Sequence, residues 1–243
     1  MADLSERQKE LLRAVVDEYI ATAEPVGSES IVQKYSLGVS PATVRNEMVS
    51  LIEKGYLKQP HTSAGRIPSP QGLKFYINEL MKEQAVPVKD EVSIKEDLWD
   101  YRFHLHRLLK QATRELAEKS GTLALAVTEE GDVFHSGSHM MLDMPEFFDI
   151  DLTRTVLMLL DHQDLLNQIL EKAVGNEPTH VLIGSELGND YLESCGLIFS
   201  PFGSGKKNVG IIGVIGPARM AYSRVIPTVR YFGDLLTELV GGW

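Results

Sequence analysis

The sequence predicts a multidomain α+β protein: a small helical N-terminal domain closed by a β-hairpin, a linker helix, and a larger domain with helices packed on a sheet. Three observations predict it. Residues 1–82 hold three amphipathic helical periodicities separated by turn signals. Beyond residue 122, short apolar runs ("TLALAVTEE", "THVLIG", "CGLIFSPF", "NVGIIGVIG") alternate with helical stretches. The charge is also divided: the chain is net -10, yet residues 1–82 carry 10 basic and 10 acidic residues, and the deficit lies in residues 83–243, with 14 against 24. With the polar joint "EQAVPVKDE", this places the domains at 1–82, 83–121 (linker and long helix) and 122–243.

A chain of 243 residues with 43% apolar and 24% charged residues is ordinary for a globular protein. The single cysteine, Cys195, excludes an internal disulfide framework and reads as a small buried residue. The start "MADLSERQKELL" has no apolar signal core, and the apolar runs are too short to span a bilayer. The expectation is a cytoplasmic protein with no membrane partner.

Each N-terminal element follows from local chemistry. Ser5 followed by Gln8 is a capping box. Leu11, Leu12, Val15, Val16, Tyr19 and Ile20 then repeat at helical spacing until "AEPVGS" stops the helix. Ser28 caps a short second helix. Ser40 with Pro41 starts a third, through "ATVRNEMVSLIEK", which ends at Gly55. Its Val44, Met48, Leu51 and Ile52 share one face. "YLKQ" and "RIPS" read as two strands around the tip "PHTSAG". Three short helices and a hairpin make a winged helix-turn-helix, whose third helix enters the DNA major groove.

The candidate DNA-binding residues are Ser40, Thr43, Arg45, Asn46, Lys58, His61, Thr62, Ser63 and Arg66. Arg45 suits guanine and Asn46 adenine, because each can form two hydrogen bonds to the base edge. Ser40 and Thr43 offer hydroxyls to phosphate near a helix N-terminus. His61, Thr62, Ser63 and Arg66, with Lys58, would face the backbone or the minor groove. Residues 40–75 hold five basic residues and two acidic ones, a local net of +3. On pattern alone, a plain helical core with an Arg-Asn pair in solvent stands beside this reading.

The segment "LSERQKELLRAVVDEYIATAEPVGSESIVQKYSLGVSPATVRNEMVSLIEKGYLKQPHTSAGRIPSPQG" closely resembles the N-terminal domain of the HrcA family, the heat-inducible transcription repressors. "EPVGS", "SPATVRNEM" and "GYLKQPHTSAGRIP" carry the likeness, and "GVIGPARMAYSRVIPTVRYFGDLLTEL" resembles the family's C-terminal signature. The resemblance implies a GAF-like C-terminal domain and a homodimer on an inverted-repeat operator of double-stranded DNA before chaperone genes. It also implies a GroEL-type chaperonin that keeps the repressor active. There is one departure. Family members carry a dimerising insertion in this domain, whereas "LALAVTEEGDVFHSGSHMMLDMPEF" runs almost directly from the first strand to the family's "PEF" segment.

After the joint, "VSIKEDLWDYRFHLHRLLKQATRELAEKSG" reads as one long helix closed by Gly121. Ile94, Leu98, Tyr101, Leu105, Leu108 and Ala112 form a heptad-like stripe on it. Both a dimer contact, carried by Ile94, Leu98, Tyr101, Leu105 and Leu108, and packing on the stripe's own domain are open. Gly131-Asp132 signals a hairpin, helices are expected at about 151–160, 164–174 and 218–240, and "GSGKK" reads as a hairpin turn.

Other signals lack what their chemistry needs. "GSGKK" is no Walker A loop, since a strand and not a helix follows. His104 and His106 point apart, and His135 and His139 have no Cys or paired carboxylate at metal spacing. There is no nucleophile elbow. No cofactor, metal or catalytic residue is expected. Two other readings remain: a winged-helix regulator gated by a small molecule in the C-terminal domain, and an enzyme in residues 122–243, which would need a deep polar pocket with convergent ionisable groups.

Overall fold

Ser5 and Gln8 cap each other at the start of α1 (Glu6–Thr22): the Gln8 N–H donates to the Ser5 hydroxyl and the Ser5 N–H donates to Gln8 Oε1. The computed structural model to which this helix belongs describes residues 4–170, 177–204 and 207–241. The chain divides into two compact units, Met1–Lys82 and Glu83–Trp243.

In the first unit, α1 buries Leu11, Leu12, Val15 and Val16 and stops at Ala23, in the left-handed region, ahead of Pro25. α2 (Ser28–Lys34) and α3 (Pro41–Glu53) follow. Ser40 caps α3 by accepting from the Thr43 N–H at 3.2 Å, and Pro41 supplies the φ of the first turn. Val44, Met48 and Leu51 carry α3 against α1 and α2. β1 (Leu57–Lys58) and β2 (Ile67–Pro68) pair antiparallel, Leu57 with Pro68 and Lys58 with Ile67. The strands are shorter than "YLKQ" and "RIPS" because Pro60 and Pro68 have no N–H to extend the ladder. The ribbon gains a third pairing instead. Arg66 and Val26, in the α1–α2 turn, exchange two backbone hydrogen bonds of 2.8 Å. α4 (Pro70–Phe75) runs on into a π turn at Tyr76–Leu80. Gly72 lets α4 approach β1, since a Cβ there would stand 2.0 Å from the Tyr56 carbonyl oxygen.

The second unit corrects the single long helix. There are two, α5 (Val88–Trp99) and α6 (Leu105–Ser120). Between them, residues 100–104 tighten into turns in which Tyr101, Arg102 and His104 each donate to a carbonyl three residues back. Arg102 seals the break. Its guanidinium carbon lies 4.4 Å from the Trp99 ring and 4.3 Å from the Phe103 ring, and Nη1 donates to the Trp99 carbonyl. The local residues, Asp, Tyr, Phe and His, are all indifferent helix formers.

Next come β3 (Leu123–Thr128) and β4 (Val133–Ser136), a hairpin that turns at Gly131-Asp132. Two 3₁₀ turns, Ser138–Asp143 and Pro145–Phe148, lead to α7 (Ile150–Asp161) and α8 (Gln163–Leu170). The expected extension of that helix to 174 lies outside the described residues. β5 (His180–Ile183), β6 (Cys195–Ser204) and β7 (Lys207–Pro217) complete a five-stranded antiparallel sheet in the order β4-β3-β7-β6-β5. Gly205 and Lys206, at the "GSGKK" tip, also lie outside the described residues. α9 spans Tyr222–Val240. It starts four residues later than expected because residues 218–221 turn back, the Met220 N–H donating to the Pro217 carbonyl.

The sheet is buried on both faces, which is why its strands read as nearly unbroken apolar runs. Leu123, Leu125, Val127, Leu197, Phe199 and Ile215 meet α7 and α8. Ala124, Ala126, Ile198, Ile212 and Val214 point the other way, where α6 and α9 pack. Glu146 of the "PEF" segment and Arg219 of the C-terminal signature form a two-pronged ion pair, Nε–Oε1 2.5 Å and Nη2–Oε2 3.1 Å. Among the described residues, no helix is long and apolar enough to cross a membrane.

Candidate nucleic-acid interface

α3 is held from behind by one side chain. Gln8 Nε2 donates to Glu47 Oε2 at 3.0 Å and to Ser50 Oγ at 3.2 Å, and Gln8 Oε1 accepts from Lys54 Nζ at 2.8 Å. In the sequence, Gln8 stands out only as half of a capping box. The missed signal is its position: it falls on the stripe with Leu11 and Leu12, where a polar side chain must find partners. Tyr76 ties the end of this unit to α1, its hydroxyl donating to Asp17 Oδ1 at 2.6 Å. Burial first, and the Asp17 carboxylate second, push that phenol well above its ordinary range.

With its inner face fixed, α3 turns Arg45 and Asn46 to solvent, adjacent and both exposed. Ser40 and Thr43 are less available than expected. Their hydroxyls hydrogen-bond each other at 3.0 Å, Ser40 is engaged as the helix cap, and Thr43 is half-buried.

The ribbon tip exposes Lys58, His61, Thr62 and Ser63. It is shaped internally. Gln59 Nε2 donates to the Thr62 carbonyl at 2.8 Å and the Ala64 carbonyl at 3.2 Å, and His61 Nδ1 lies 3.2 Å from Ser63 Oγ. Arg66 departs from its expected outward role. It is half-buried, and Nη1 donates to the Ala64 carbonyl at 3.0 Å and the Gly65 carbonyl at 3.3 Å. Its Nε is buried without a partner among the described residues. The guanidinium is turned back because its own backbone is locked to Val26. Gly65 allows that approach, since a Cβ there would stand 2.6 Å from the Val26 carbonyl.

Of the two alternatives for the heptad-like stripe, burial favours packing on its own unit. Ile94, Leu98 and Leu108 are 0% exposed and fill their own unit's core. Leu105 is half-buried, and Tyr101 sits in the break at 36% exposure. The five do not form one continuous outward seam, because the interruption at 100–104 breaks the register between α5 and α6.

In the second unit, His106 Nε2 lies 3.1 Å from Asp132, and its ring meets the Phe134 edge. His135 Nδ1 lies 3.5 Å from Ser138 Oγ. Among the described residues no three metal-capable side chains cluster. Leu159, Leu166, Cys195, Leu197 and Ile215 line an apolar cavity of about 10 Å³, at the lower limit for one water. Burial, and then the Glu146 charge, push the Cys195 thiol up to about 12, which leaves it un-ionised and inert. A separate cleft of about 540 Å³ is lined by Val127, Thr128, Glu129, Asn167, Leu170 and Ile211, among others.

Residues 42–226 match the family described as HrcA protein C terminal domain. The chain is similar to proteins named heat-inducible transcription repressor HrcA. It is 31% identical to that of Caldanaerobacter subterraneus subsp. tengcongensis, covering 98% of this chain and 97% of the relative. It is 30% identical to that of Desulforudis audaxviator, with 98% of each covered. The alignment with the Acetivibrio thermocellus repressor, at 29% identity, spans 338 positions. The chain has 243 residues, so at least 95 positions of that alignment face no residue here. The solved structure of a hypothetical protein shares the fold, with a TM-score of 0.78, 19% identity and 99% of both chains covered.

Proposed function

The chain belongs to the HrcA family, and from that premise we propose that its first unit is a winged helix-turn-helix that binds double-stranded DNA at an inverted-repeat operator, and that the protein represses chaperone genes. One observation carries the reading. α3 has an inner face fixed by Val44, Met48, Leu51 and the Gln8 bonds, and an outer face presenting Arg45 beside Asn46. These two side chains discriminate guanine and adenine by paired hydrogen bonds. The exposed ribbon tip, Lys58 with His61, Thr62 and Ser63, acts as the wing on phosphate or the minor groove, and Arg66 braces it.

The second unit is read as a GAF-like regulatory domain that dimerises the protein. A GroEL-type chaperonin holds the repressor active, and heat releases the genes by drawing the chaperonin away. The names of the relatives support heat-inducible repression; the GAF-like fold, the dimer and the chaperonin rest on the family resemblance. The test is a gel shift with DNA preceding chaperone genes, beside random DNA of equal length, at several salt concentrations, with and without chaperonin. Discrimination that survives rising salt, and active repressor that increases with chaperonin, are expected. Equal binding to both DNAs would overturn operator reading, and indifference to chaperonin would overturn its control.

The 540 Å³ cleft favours a second reading, a regulator gated by a small molecule bound there. Thermal-shift screening of metabolites separates the two, because a ligand of the cleft raises the unfolding temperature without chaperonin.

A further inference from the structure

α7 is apolar on both sides, and the core uses only one. Leu152, Val156, Leu159 and Leu160 join the core cluster against the sheet. On the opposite side lie Ile150, Arg154, Leu157, Met158 and Asp161, all exposed. Ile150 is 66% exposed, Leu157 40% and Met158 44%, and Phe148, just ahead of the helix, is 73% exposed. Together they bare apolar surface on the order of 400 Å², within the range where a patch on a monomer marks a docking site, and about half of one partner's share of a standard interface.

The charges on this face indicate the occupant. Arg154 and Asp161 are seven residues apart, about two turns, with Leu157 and Met158 midway between them. When two copies of α7 lie antiparallel about a two-fold axis between Leu157 and Met158, Leu157 of each meets Met158 of the other. Arg154 of each then meets Asp161 of the other at both ends of the contact. The face is complementary to itself in shape of pattern and in charge, as a closed two-fold interface requires. Arg154 Nη1 already donates to Asp151 of its own helix at 2.6 Å, and a guanidinium has further donors for a second carboxylate.

We infer that this face of α7 is where two copies of the chain associate. The inference deepens the dimeric reading above and rests on it. It supplies a contact that the stripe of Ile94, Leu98 and Leu108, spent inside the unit, does not.

The test is sedimentation of the purified full chain at tens of micromolar without DNA. A dimer is expected. Arg154→Asp and Asp161→Arg should each weaken it at least tenfold by placing like charges together, and the double variant should restore it. Leu157→Gln, which changes no charge, should weaken it too, and circular dichroism reads whether each variant keeps its helices. A monomeric wild type, a dimer indifferent to the single reversals, or a double variant no better than either single would overturn the inference. Because no DNA is present, these outcomes are separate from failure of operator recognition, which the gel shift reads.

Discussion

Gln8 is a buried polar side chain with every hydrogen-bonding atom engaged: two bonds donated to α3, and two accepted, from the Lys54 ammonium and the Ser5 N–H. Truncation to alanine leaves Glu47, Ser50 and Lys54 without that partner and opens the back of α3. A loss of about 1–3 kcal/mol is expected, read as a lower midpoint in denaturant unfolding. An unchanged midpoint would mean that water replaces the amide at no cost. In the proposed function Arg45 belongs to the same scale, with DNA as its partner. Arg45→Ala should cost about 1–3 kcal/mol on the operator and leave random DNA nearly unaffected, since a base-edge contact carries sequence information and a phosphate contact does not. Equal losses on both DNAs in the gel shift would reassign Arg45 to the backbone. Arg66 is the instructive contrast. Its sequence neighbourhood resembles that of a DNA-facing cation, yet its Nη1 is turned back onto the Ala64 and Gly65 carbonyls.

At the scale of elements, what could be read ahead was local chemistry. Ser5 and Ser40 mark helix starts because a cap satisfies N–H groups within three residues of itself. The unbroken runs of β3, β6 and β7 announce strands buried on both faces. What could not be read acts through space. The 4, 3 spacing of the stripe survives a five-residue interruption, so periodicity alone does not reveal that Arg102, between Trp99 and Phe103, ends one helix before the next begins. The outward side of α3 was legible from its apolar inner face, whereas the partners of Gln8 lie 39 to 46 residues away, so its place on the apolar stripe signals that it is bonded but not to what. The pair formed by Glu83 and Arg230, 147 residues apart, is of the same kind. Arg230 donates two bonds of 2.7 and 2.8 Å, which hold the Glu83 carboxyl below its ordinary range, with burial opposing. A carboxyl whose folded pKa is depressed stabilises the fold above its unfolded value, roughly 4.3, and loses that contribution as pH falls through the depressed value. Glu83→Gln should therefore lower the melting temperature at pH 7, and the gap to wild type should close below about pH 4. A gap that is constant with pH would assign the effect to packing alone.

At the scale of the whole molecule, charge is segregated: residues 1–82 balance, and residues 83–243 carry the entire net charge of -10. Under the proposed function, a polyanion such as DNA would be repelled by the acidic unit and tolerated by the neutral one, so the acidic unit would disfavour DNA contacts other than those of α3 and the ribbon. This is an argument about discrimination and not about strength. It predicts that neutralising exposed carboxylates far in sequence from the residues proposed to read DNA changes random binding more than operator binding. Glu130, Asp164 and Asp190 are exposed members of the acidic unit. Changing them to Gln, Asn and Asn should raise affinity for random DNA by a few-fold at low salt, with the gain fading near 0.15 M as screening shortens to about 8 Å. Affinity for the operator should rise by less, so the ratio of specific to random binding falls. Fluorescence anisotropy with both DNAs across a salt series measures that ratio. If the ratio were unchanged at every salt concentration, the acidic unit would not contribute to specificity, and discrimination would rest on α3 and the ribbon alone.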